Sequence, residues 1–355
     1  MEKKDKYNGK ILILSDGKPG HFNQSLGIVD RLPEINFEIV QVRYKKKWRD
    51  NIIRVITFLF GRKRLDDKFI KNILKWGLDE QSFRSLFEAK EYDVVLSTGS
   101  SVSAPNLLIS KLANAKSVVC TRPSPLGFRH FDLAILPEHS RPRKIAKNVL
   151  MTFGVPNRIT PESVLSIGKE LFKNLIISKK PVIGVLLGGD DPYYYIPANL
   201  ANDLCDILLS LDVQIALTTS RRTSNETDKV LKSRLNDNPS CCLLVIANDE
   251  SPPNTVSGIL GISDVVIVTE DSFSMVCESA SSGKKVIILN VMRKGKGNPK
   301  RERVYQMLAD KGFVKMTNLD NLHKSIIDLL SDDKETMILN DAHIASDGIR
   351  KLFFL

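Results

Sequence analysis

The sequence of 355 residues lacks most of the features that mark secreted, membrane-spanning or zinc-binding proteins. Its most prominent apolar stretch, residues 51–60, is about half of what a bilayer span needs. The start, MEKKDKYNGK, has no apolar signal core, so we expect a cytoplasmic protein, or one peripheral to the inner face of a membrane. Five cysteines without paired zinc spacing favour buried thiols in a reducing compartment: Cys120, Cys205, Cys241, Cys242 and Cys277.

Several ligand-binding motifs are also absent. The chain has no GxxxxGK[ST] phosphate loop and no GxGxxG fingerprint. Its adjacent acidic pairs, Asp66-Asp67 and Asp190-Asp191, do not have the DxD spacing of a metal motif. No zinc-finger spacing, RNP-like motif or basic zipper is present. We therefore expect no metal, no bound cofactor and no nucleic-acid partner.

Positive charge is plentiful and unevenly distributed. The formal net charge is +11, and residues 43–75 contain twelve Lys or Arg against three Asp, an excess of nine positive charges. Apolar residues, including Trp48 and Trp76, are interleaved with these cations. A basic helical stretch with a broad apolar face suits an anionic lipid surface, which makes segment 43–76 a candidate membrane contact. The alternative is a solvated basic face whose apolar side packs on its own domain.

Short β-branched runs alternate with helical stretches along the chain, which predicts α/β units with parallel sheets. The pattern restarts after residue 180, where VIGVLL begins a second series. The prediction is two Rossmann-like doubly wound domains, 1–155 and 156–320, followed by a helical tail over 321–355. Ligands of such sheets bind at the carboxyl ends of the strands, so the loops that follow the strands are the candidate sites.

In the first half, the strand KILIL is followed by a loop with two glycines and several polar groups. Asp16 and His21 supply a carboxylate and a titratable imidazole in this loop. His139 follows another predicted strand and stands next to Glu138. A carboxylate beside a histidine at a strand end favours a functional role, although a lone histidine is usually structural.

In the second half, three strand ends carry sharper signals. Gly188 and Gly189 form a loop of small residues where the backbone can approach a substrate. The next predicted strand end, TSRRT, places two arginines between hydroxyl residues, which suits bidentate phosphate contacts. The residues assigned to this phosphate contact are Ser220, Arg221 and Arg222.

The third strand end, after VVIVT, begins a predicted helix at Asp271, Ser272 and Ser274. A helix N-terminus favours anions, because its free N–H groups and dipole face the ligand. Glu278 lies one helical turn after Ser274 and can accept ribose hydroxyls on the same face. The alternative is an ordinary capped helix with a solvated Glu278.

Four ordered segments together resemble the mitochondrial-fission, elongated-mitochondria family. They are SDGKPGHFNQSLG, the Pro-Glu-His of 137–139, TTSRRT and TEDSFSMVCESASSGKKV. That family is similar to glycosyltransferases of the two-Rossmann B type. The resemblance implies two domains that face a cleft, with a nucleotide-sugar donor site in the second and an acceptor site in the first.

Within that scheme, Arg221 and Arg222 would contact the diphosphate and Glu278 the ribose, while Asp16, His21 and His139 are candidates for the general base. The resulting hypothesis is a metal-independent glycosyltransferase that uses a nucleotide sugar and acts on a membrane-surface or lipid-linked acceptor. Two alternatives remain open: a non-catalytic membrane-surface recruitment protein on the same fold, and a sugar-nucleotide epimerase.

Overall fold

The predicted strands assemble into two parallel six-stranded sheets, one in each of two α/β units. Unit 1 comprises residues 1–158 and 340–355, and unit 2 comprises residues 159–339. The predicted fold class is therefore confirmed, and the division falls three residues after the boundary expected at 155. The computed structural model of the protein describes residues 9–60, 65–89, 91–173, 175, 179–249 and 252–353.

Unit 1 has the strand order β2-β1-β3-β4-β5-β6. Its strands are β1 (Lys10–Ser15), β2 (Asn36–Gln41), β3 (Val94–Thr98), β4 (Lys116–Cys120), β5 (Leu133–Pro137) and β6 (Val149–Thr152). Its first five helices are α1 (Pro19–Val29), α2 (Lys47–Phe60), α3 (Asp67–Gly77), α4 (Glu80–Glu88) and α5 (Ser103–Ala113). Helix α1 begins at Pro19, so the loop after β1 comprises only residues 16–18.

The strands of unit 1 are apolar on both sides because helices cover both faces of the sheet. Successive residues of a strand point to opposite faces. Accordingly, Ile11 and Ile13 of β1 belong to one hydrophobic cluster, and Leu12 and Leu14 belong to another that includes residues of α2, α3 and α5. All five residues of β3 are buried, as the run VVLST predicts.

Unit 2 has the strand order β10-β9-β7-β11-β12-β14. Its strands are β7 (Val182–Leu186), β8 (Tyr194–Tyr195), β9 (Gln214–Thr218), β10 (Cys241–Val245), β11 (Val265–Thr269), β12 (Lys285–Leu289), β13 (Met292–Arg293) and β14 (Lys315–Thr317). Strands β8 and β13 form a separate antiparallel pair. Its helices are α6 (Pro161–Phe172), α7 (Ala198–Leu209), α8 (Asn225–Leu235), α9 (Thr255–Ile262), α10 (Phe273–Ser281), α11 (Pro299–Asp310) and α12 (Leu319–Leu330).

The predicted helical tail is shared between the units. Helix α12 belongs to unit 2, whereas α13 (Asp341–Phe353) belongs to unit 1. Ala345 and Ile349 of α13 are fully buried in the same cluster as Ile11 and Ile13. At its first residue, the Asp341 carboxylate accepts backbone N–H groups of residues 153 and 154 at 3.0 and 2.6 Å. Helix α13 is thus an integral part of the core of unit 1.

Candidate functional site

Three loops meet at the carboxyl edge of the sheet in unit 2, because the strands that precede them, β9, β7 and β11, are neighbours. The Gly188 amide donates to Thr269 Oγ1 at 2.7 Å, and the Gly188 carbonyl accepts from Thr223 Oγ1 at 2.6 Å. The Asp190 amide donates to the Arg222 carbonyl at 2.9 Å. The structure therefore brings together the loops after residues 186, 218 and 269.

Asp271 is the centre of this junction. Its fully buried carboxylate accepts hydrogen bonds from the Gly189 amide at 2.9 Å, from Thr269 Oγ1 at 2.7 Å and from Arg222 Nη2 at 3.0 Å. Burial raises the pKa of Asp271, and these donors oppose the rise. A buried carboxylate that accepts from two other loops and from the end of its own strand fixes the position of each loop relative to the others.

The two glycines of this site are enclosed by the same junction. A Cβ on Gly188 would lie 2.1 Å from an Asp271 carboxylate oxygen, and a Cβ on Gly189 would lie 2.2 Å from the Arg222 carbonyl carbon. The sequence predicts that a substrate approaches the backbone of Gly188 and Gly189. On the faces described here, the protein's own loops occupy that position instead. Gly188 and Gly189 are required here for the packing of the loops.

The two adjacent arginines have different environments. Arg222 donates to Asp271 and to the carbonyls of Gly189 and Asp190, at 3.3 and 3.1 Å for the two carbonyls. Ser220 Oγ stabilises the same turn by accepting a hydrogen bond from the Arg222 amide at 3.1 Å. Arg221 is exposed, and its side chain has no hydrogen bond or ion pair with any described residue. Of the pair, Arg221 is the side chain that is available to a ligand.

The start of α10 supplies the other predicted groups. Ser272 precedes the helix and is buried, and its side chain does not cap the helix. Ser274 is exposed in the first turn, where backbone N–H groups have no helical partner. Glu278, one turn later, is partly exposed and accepts no hydrogen bond from the described residues. Burial raises the pKa of Glu278 to about 7.

A basic loop between β13 and α11 was not predicted from the sequence. This loop contains Gly295 and Gly297, both with positive φ, and several cations. Arg301, in the first turn of α11, donates to Asp191 Oδ2 at 2.8 Å and to the Asp271 carbonyl at 3.1 Å. Lys296 has no partner among the described residues. The signal was present as KGKGNPK, a glycine-rich run that four residues separate from the run VIIL.

In unit 1, the structure brings Asp16 and His21 together. Asp16 Oδ2 lies 3.0 Å from His21 Nδ1 and accepts a hydrogen bond from Ser101 Oγ at 2.9 Å. Burial disfavours the charged carboxylate, but the hydrogen bonds from His21, Ser101 and the Lys18 amide outweigh it and lower the pKa of Asp16 to about 2. An ionised carboxylate on Nδ1 fixes the orientation of the ring and leaves Nε2 to act on a substrate.

Gly99 allows this pair to form. Its φ of +98° is in the region that favours glycine, and a Cβ there would lie 2.5 Å from the His21 ring. The loop after β3 therefore supports the imidazole from one side, while Ser101 of the same loop holds Asp16.

His139 is not part of this arrangement. It follows β5, which is three strand positions from β1 in the sheet, a separation of about 14 Å between strand axes. The neighbouring Glu138 is buried and forms an ion pair with Arg141. The structure thus groups Asp16 with His21 and places His139 at a different strand end.

Within the basic segment 43–76, residues 47–60 form α2 and residues 67–76 belong to α3. Residues 61–64, which include Arg62 and Arg64, lie outside the described residues. Part of its apolar surface packs on unit 1, through Ile53 of α2 and Leu74 of α3. A second set of large apolar side chains is exposed: Trp48, Ile52, Val55, Phe58, Leu59, Phe60, Phe69 and Trp76. Across the described ranges, no helix is long and apolar enough to cross a membrane.

Two comparisons with known proteins relate this chain to the same family. A family model described as mitochondrial fission ELM1 matches residues 19–353. The mitochondrial fission protein ELM1 of Arabidopsis thaliana is 24% identical over 339 residues, covering 79% of this chain and 78% of the plant protein.

Solved structures that share the fold include two UDP-GlcNAc 2-epimerases. The UDP-GlcNAc 2-epimerase of Methanocaldococcus jannaschii has a TM-score of 0.59 at 13% identity, covering 98% of this chain and 100% of that one. The UDP-GlcNAc 2-epimerase of Neisseria meningitidis, bound to UDP-GlcNAc, has a TM-score of 0.54 at 13% identity with the same coverage. At this identity the likeness concerns the fold: two Rossmann-like units of the kind found in B-type glycosyltransferases and these epimerases.

Proposed function

Because the chain belongs to the mitochondrial fission ELM1 family and has a nucleotide-sugar-related fold, we propose that it is a metal-independent glycosyltransferase using a nucleotide sugar. The acceptor in this proposal is a hydroxyl group presented at a membrane surface. The observation that carries the proposal is the carboxyl edge of unit 2, where Arg221, which has no partner among the described residues, the start of α10 and Glu278 remain available around a junction fixed by Asp271.

In this proposal, the groups at the carboxyl edge of unit 2 bind the nucleotide sugar. The diphosphate would accept hydrogen bonds from the Arg221 guanidinium and from free N–H groups at the start of α10, near Ser274. The Glu278 carboxylate would accept ribose hydroxyls, as acidic residues do in dinucleotide-binding folds. Lys296 of the basic loop is an additional cation for the phosphates. Arg222 is committed to Asp271 and would act by holding the loops in place.

In the proposed transfer step, His21 acts as the general base. Its Nε2 would take the proton of the acceptor hydroxyl while that oxygen forms a bond to the anomeric carbon of the sugar. The bond between the sugar and the diphosphate breaks, and the nucleoside diphosphate leaves with its charge stabilised by Arg221 and the helix start. Asp16 would stabilise the imidazolium that forms, because its carboxylate stays ionised above a pKa of about 2.

Thermal unfolding in the presence of nucleoside diphosphates and their sugars tests the donor site. A ligand at a hundred times its Kd adds about 2.7 kcal/mol to the unfolding free energy, which raises Tm by roughly 5–10 °C for a domain of this size. Arg221→Ala should abolish this shift without lowering the Tm of the free protein. Arg222→Ala should lower the Tm of the free protein, and the exposed Lys324→Ala on α12 is the control that should change neither.

The proposal fails if no common nucleoside diphosphate or nucleotide sugar stabilises the protein. It also fails in its assignment of the phosphate contact if Arg221→Ala retains the full ligand-induced shift.

An epimerase is the second candidate, because both structures that were compared above are UDP-GlcNAc 2-epimerases. An epimerase converts the nucleotide sugar into an isomer without an acceptor. Incubation of the protein with the stabilising nucleotide sugar alone, followed by chromatography of the products, distinguishes the two reactions. A non-catalytic recruitment protein, which the exposed apolar surface of α2 and α3 also suits, would produce neither product.

A further inference from the structure

Helix α2 has apolar surface on two opposite sides. Its buried side includes Ile53 and Thr57, which face the interior of unit 1. At 3.6 residues per turn, Trp48, Ile52, Val55 and Leu59 form a stripe on the other side of the helix. These four side chains are exposed, and Leu59 reaches 60%. The packing of unit 1 therefore does not account for this stripe.

Helix α3 extends the apolar surface beside this stripe. Phe69, Asn72 and Trp76 follow the spacing of one helix face, and Phe69 and Trp76 are exposed. Between α2 and α3 lies a groove of about 360 Å³, and its lining also includes Ile52. We call the stripe of α2 together with Phe69 and Trp76 the α2–α3 face. It is a continuous apolar surface on the described part of unit 1.

In the sequence, exposed cations flank the apolar residues of the α2–α3 face. Lys46, Lys47, Lys68 and Lys71 are exposed on the same two helices or immediately before them, and none has an ion pair with a described residue. The one acid of α2, Asp50, is partly buried and paired with Arg54 at 2.8 Å. An apolar surface with a basic border is complementary to a bilayer that contains anionic lipids, because acyl chains accept the former and headgroups the latter.

The tryptophans have the arrangement expected at a membrane interface. Trp48 and Trp76 pack edge to face with ring centroids 5.6 Å apart. The Arg49 guanidinium lies 5.4 Å from the Trp48 ring centroid and 4.8 Å from that of Trp76. Amphipathic rings and a neighbouring cation are favoured at the level of lipid headgroups.

The segment that leads into α2 is connected to the Asp16–His21 pair by hydrogen bonds. Tyr44, three residues before α2, donates from its hydroxyl to the Ser101 carbonyl at 2.6 Å. Ser101 Oγ in turn donates to Asp16 at 2.9 Å. Within unit 1, only Ser101 and Asp16 therefore lie between Tyr44 and the proposed general base, His21.

We propose that the α2–α3 face docks on an anionic lipid bilayer and thereby holds His21 close to the level of the headgroups. Docking itself is independent of the catalytic assignment. Its consequence for the substrate rests on the proposed function: the acceptor is a hydroxyl on a lipid headgroup or on the first sugar attached to a lipid. A soluble acceptor, or the far end of a long glycan, would not be held at this position.

Intrinsic fluorescence tests the docking directly, since both tryptophans of the chain lie on this face. With the full chain, vesicles of phosphatidylcholine plus phosphatidylglycerol should shift the emission to shorter wavelength, and pure phosphatidylcholine should do so much less. High salt should reverse the shift. Lipids brominated near the headgroup should quench the emission more than lipids brominated near the end of the acyl chain.

Two variants separate the apolar from the basic contribution. Leu59→Ser should weaken the partition onto the anionic vesicles about tenfold, because an exposed leucine loses its transfer into lipid. Ile145→Ser, a half-exposed position elsewhere in unit 1, is the matched control and should bind like the wild type. Replacing Lys46, Lys47, Lys68 and Lys71 by Gln should remove the dependence on phosphatidylglycerol.

An unchanged emission with anionic vesicles, or equal partition of the Leu59→Ser and wild-type proteins, overturns the docking proposal. A concentration-dependent shift without vesicles also overturns it, since a second copy of the chain would then cover the face. Nucleotide-induced stabilisation is measured on the same preparations. Loss of docking with that stabilisation intact refutes only the membrane proposal, and docking without any nucleotide effect refutes only the enzymatic one.

Discussion

Replacing Asp271 by Asn tests whether the loops of unit 2 are held together as the structure indicates. The substitution keeps the volume of the side chain and removes its charge, so Arg222 loses its ion pair and one of the donors loses its acceptor. Removal of one partner of a buried pair costs about 3–5 kcal/mol. Since 42% of the Arg222 side chain is exposed, water recovers part of this loss. We expect a loss of about 2–3 kcal/mol in the unfolding free energy of unit 2.

The assay has to follow unit 2 by itself. Tryptophan fluorescence reports on unit 1, where both tryptophans lie, so far-UV circular dichroism and calorimetry are needed for the second transition. A loss of this size lowers the Tm of unit 2 by roughly 5–10 °C. Hydrogen exchange of the peptide that contains Gly189 should become faster, because the amide of Gly189 loses its carboxylate acceptor.

A double-mutant cycle with Arg222→Ala gives the decisive result. If the two side chains stabilise the site through each other, the double variant should be about 1–2 kcal/mol more stable than the sum of the single effects predicts. Additivity within about 0.5 kcal/mol would refute the assignment of Arg222 to Asp271. Arg222 would then count, like Arg221, as a side chain that is available to bind a phosphate.

Three further predictions concern the titratable groups and the tight turn. Because the pKa of Glu278 is raised to about 7, its contribution to stability falls as pH rises from about 4.5 to 7, so Glu278→Gln should raise Tm more at pH 8 than at pH 5 in thermal scans. Because the pKa of Asp16 is lowered to about 2, the stability that it contributes above pH 4 is lost on acidification, and Asp16→Asn should cost about 2 kcal/mol in urea unfolding at neutral pH while leaving stability near pH 2 unchanged. Gly99→Ala should destabilise unit 1 by about 1–3 kcal/mol and displace the His21 ring, visible as altered imidazole NMR shifts; unchanged shifts would contradict the contact.

Long β-branched runs were sufficient to predict most of the two sheets. VVIVT and VVLST became β11 and β3 at the predicted residues, because strands covered on both faces are apolar throughout. Strands β8 and β13 have two residues each, too few to show any periodicity. Strand β6 was missed because VLMT is short and three of its four residues are only partly buried.

The location of the candidate site could be predicted from the sequence, whereas the roles of its individual residues could be predicted only in part. Parallel strand ends share one edge, so the meeting of the loops after β9 and β11 follows from the order of the strands. The different environments of Arg221 and Arg222 do not follow from sequence, since the two residues have the same chemistry and the conformation of the turn decides which one reaches Asp271. The basic loop at Gly295 and Gly297 was missed although it also follows a strand.

The return of α13 to unit 1 affects how the chain reaches its native state during synthesis. Unit 2 is continuous, so all of its residues leave the ribosome before α13 does. The core of unit 1 stays open until Ala345 and Ile349 arrive, which leaves the surface around Ile11 and Ile13 to water or to a chaperone in the meantime. A released chain truncated after residue 339 should therefore contain a protease-resistant second unit and a protease-sensitive first one.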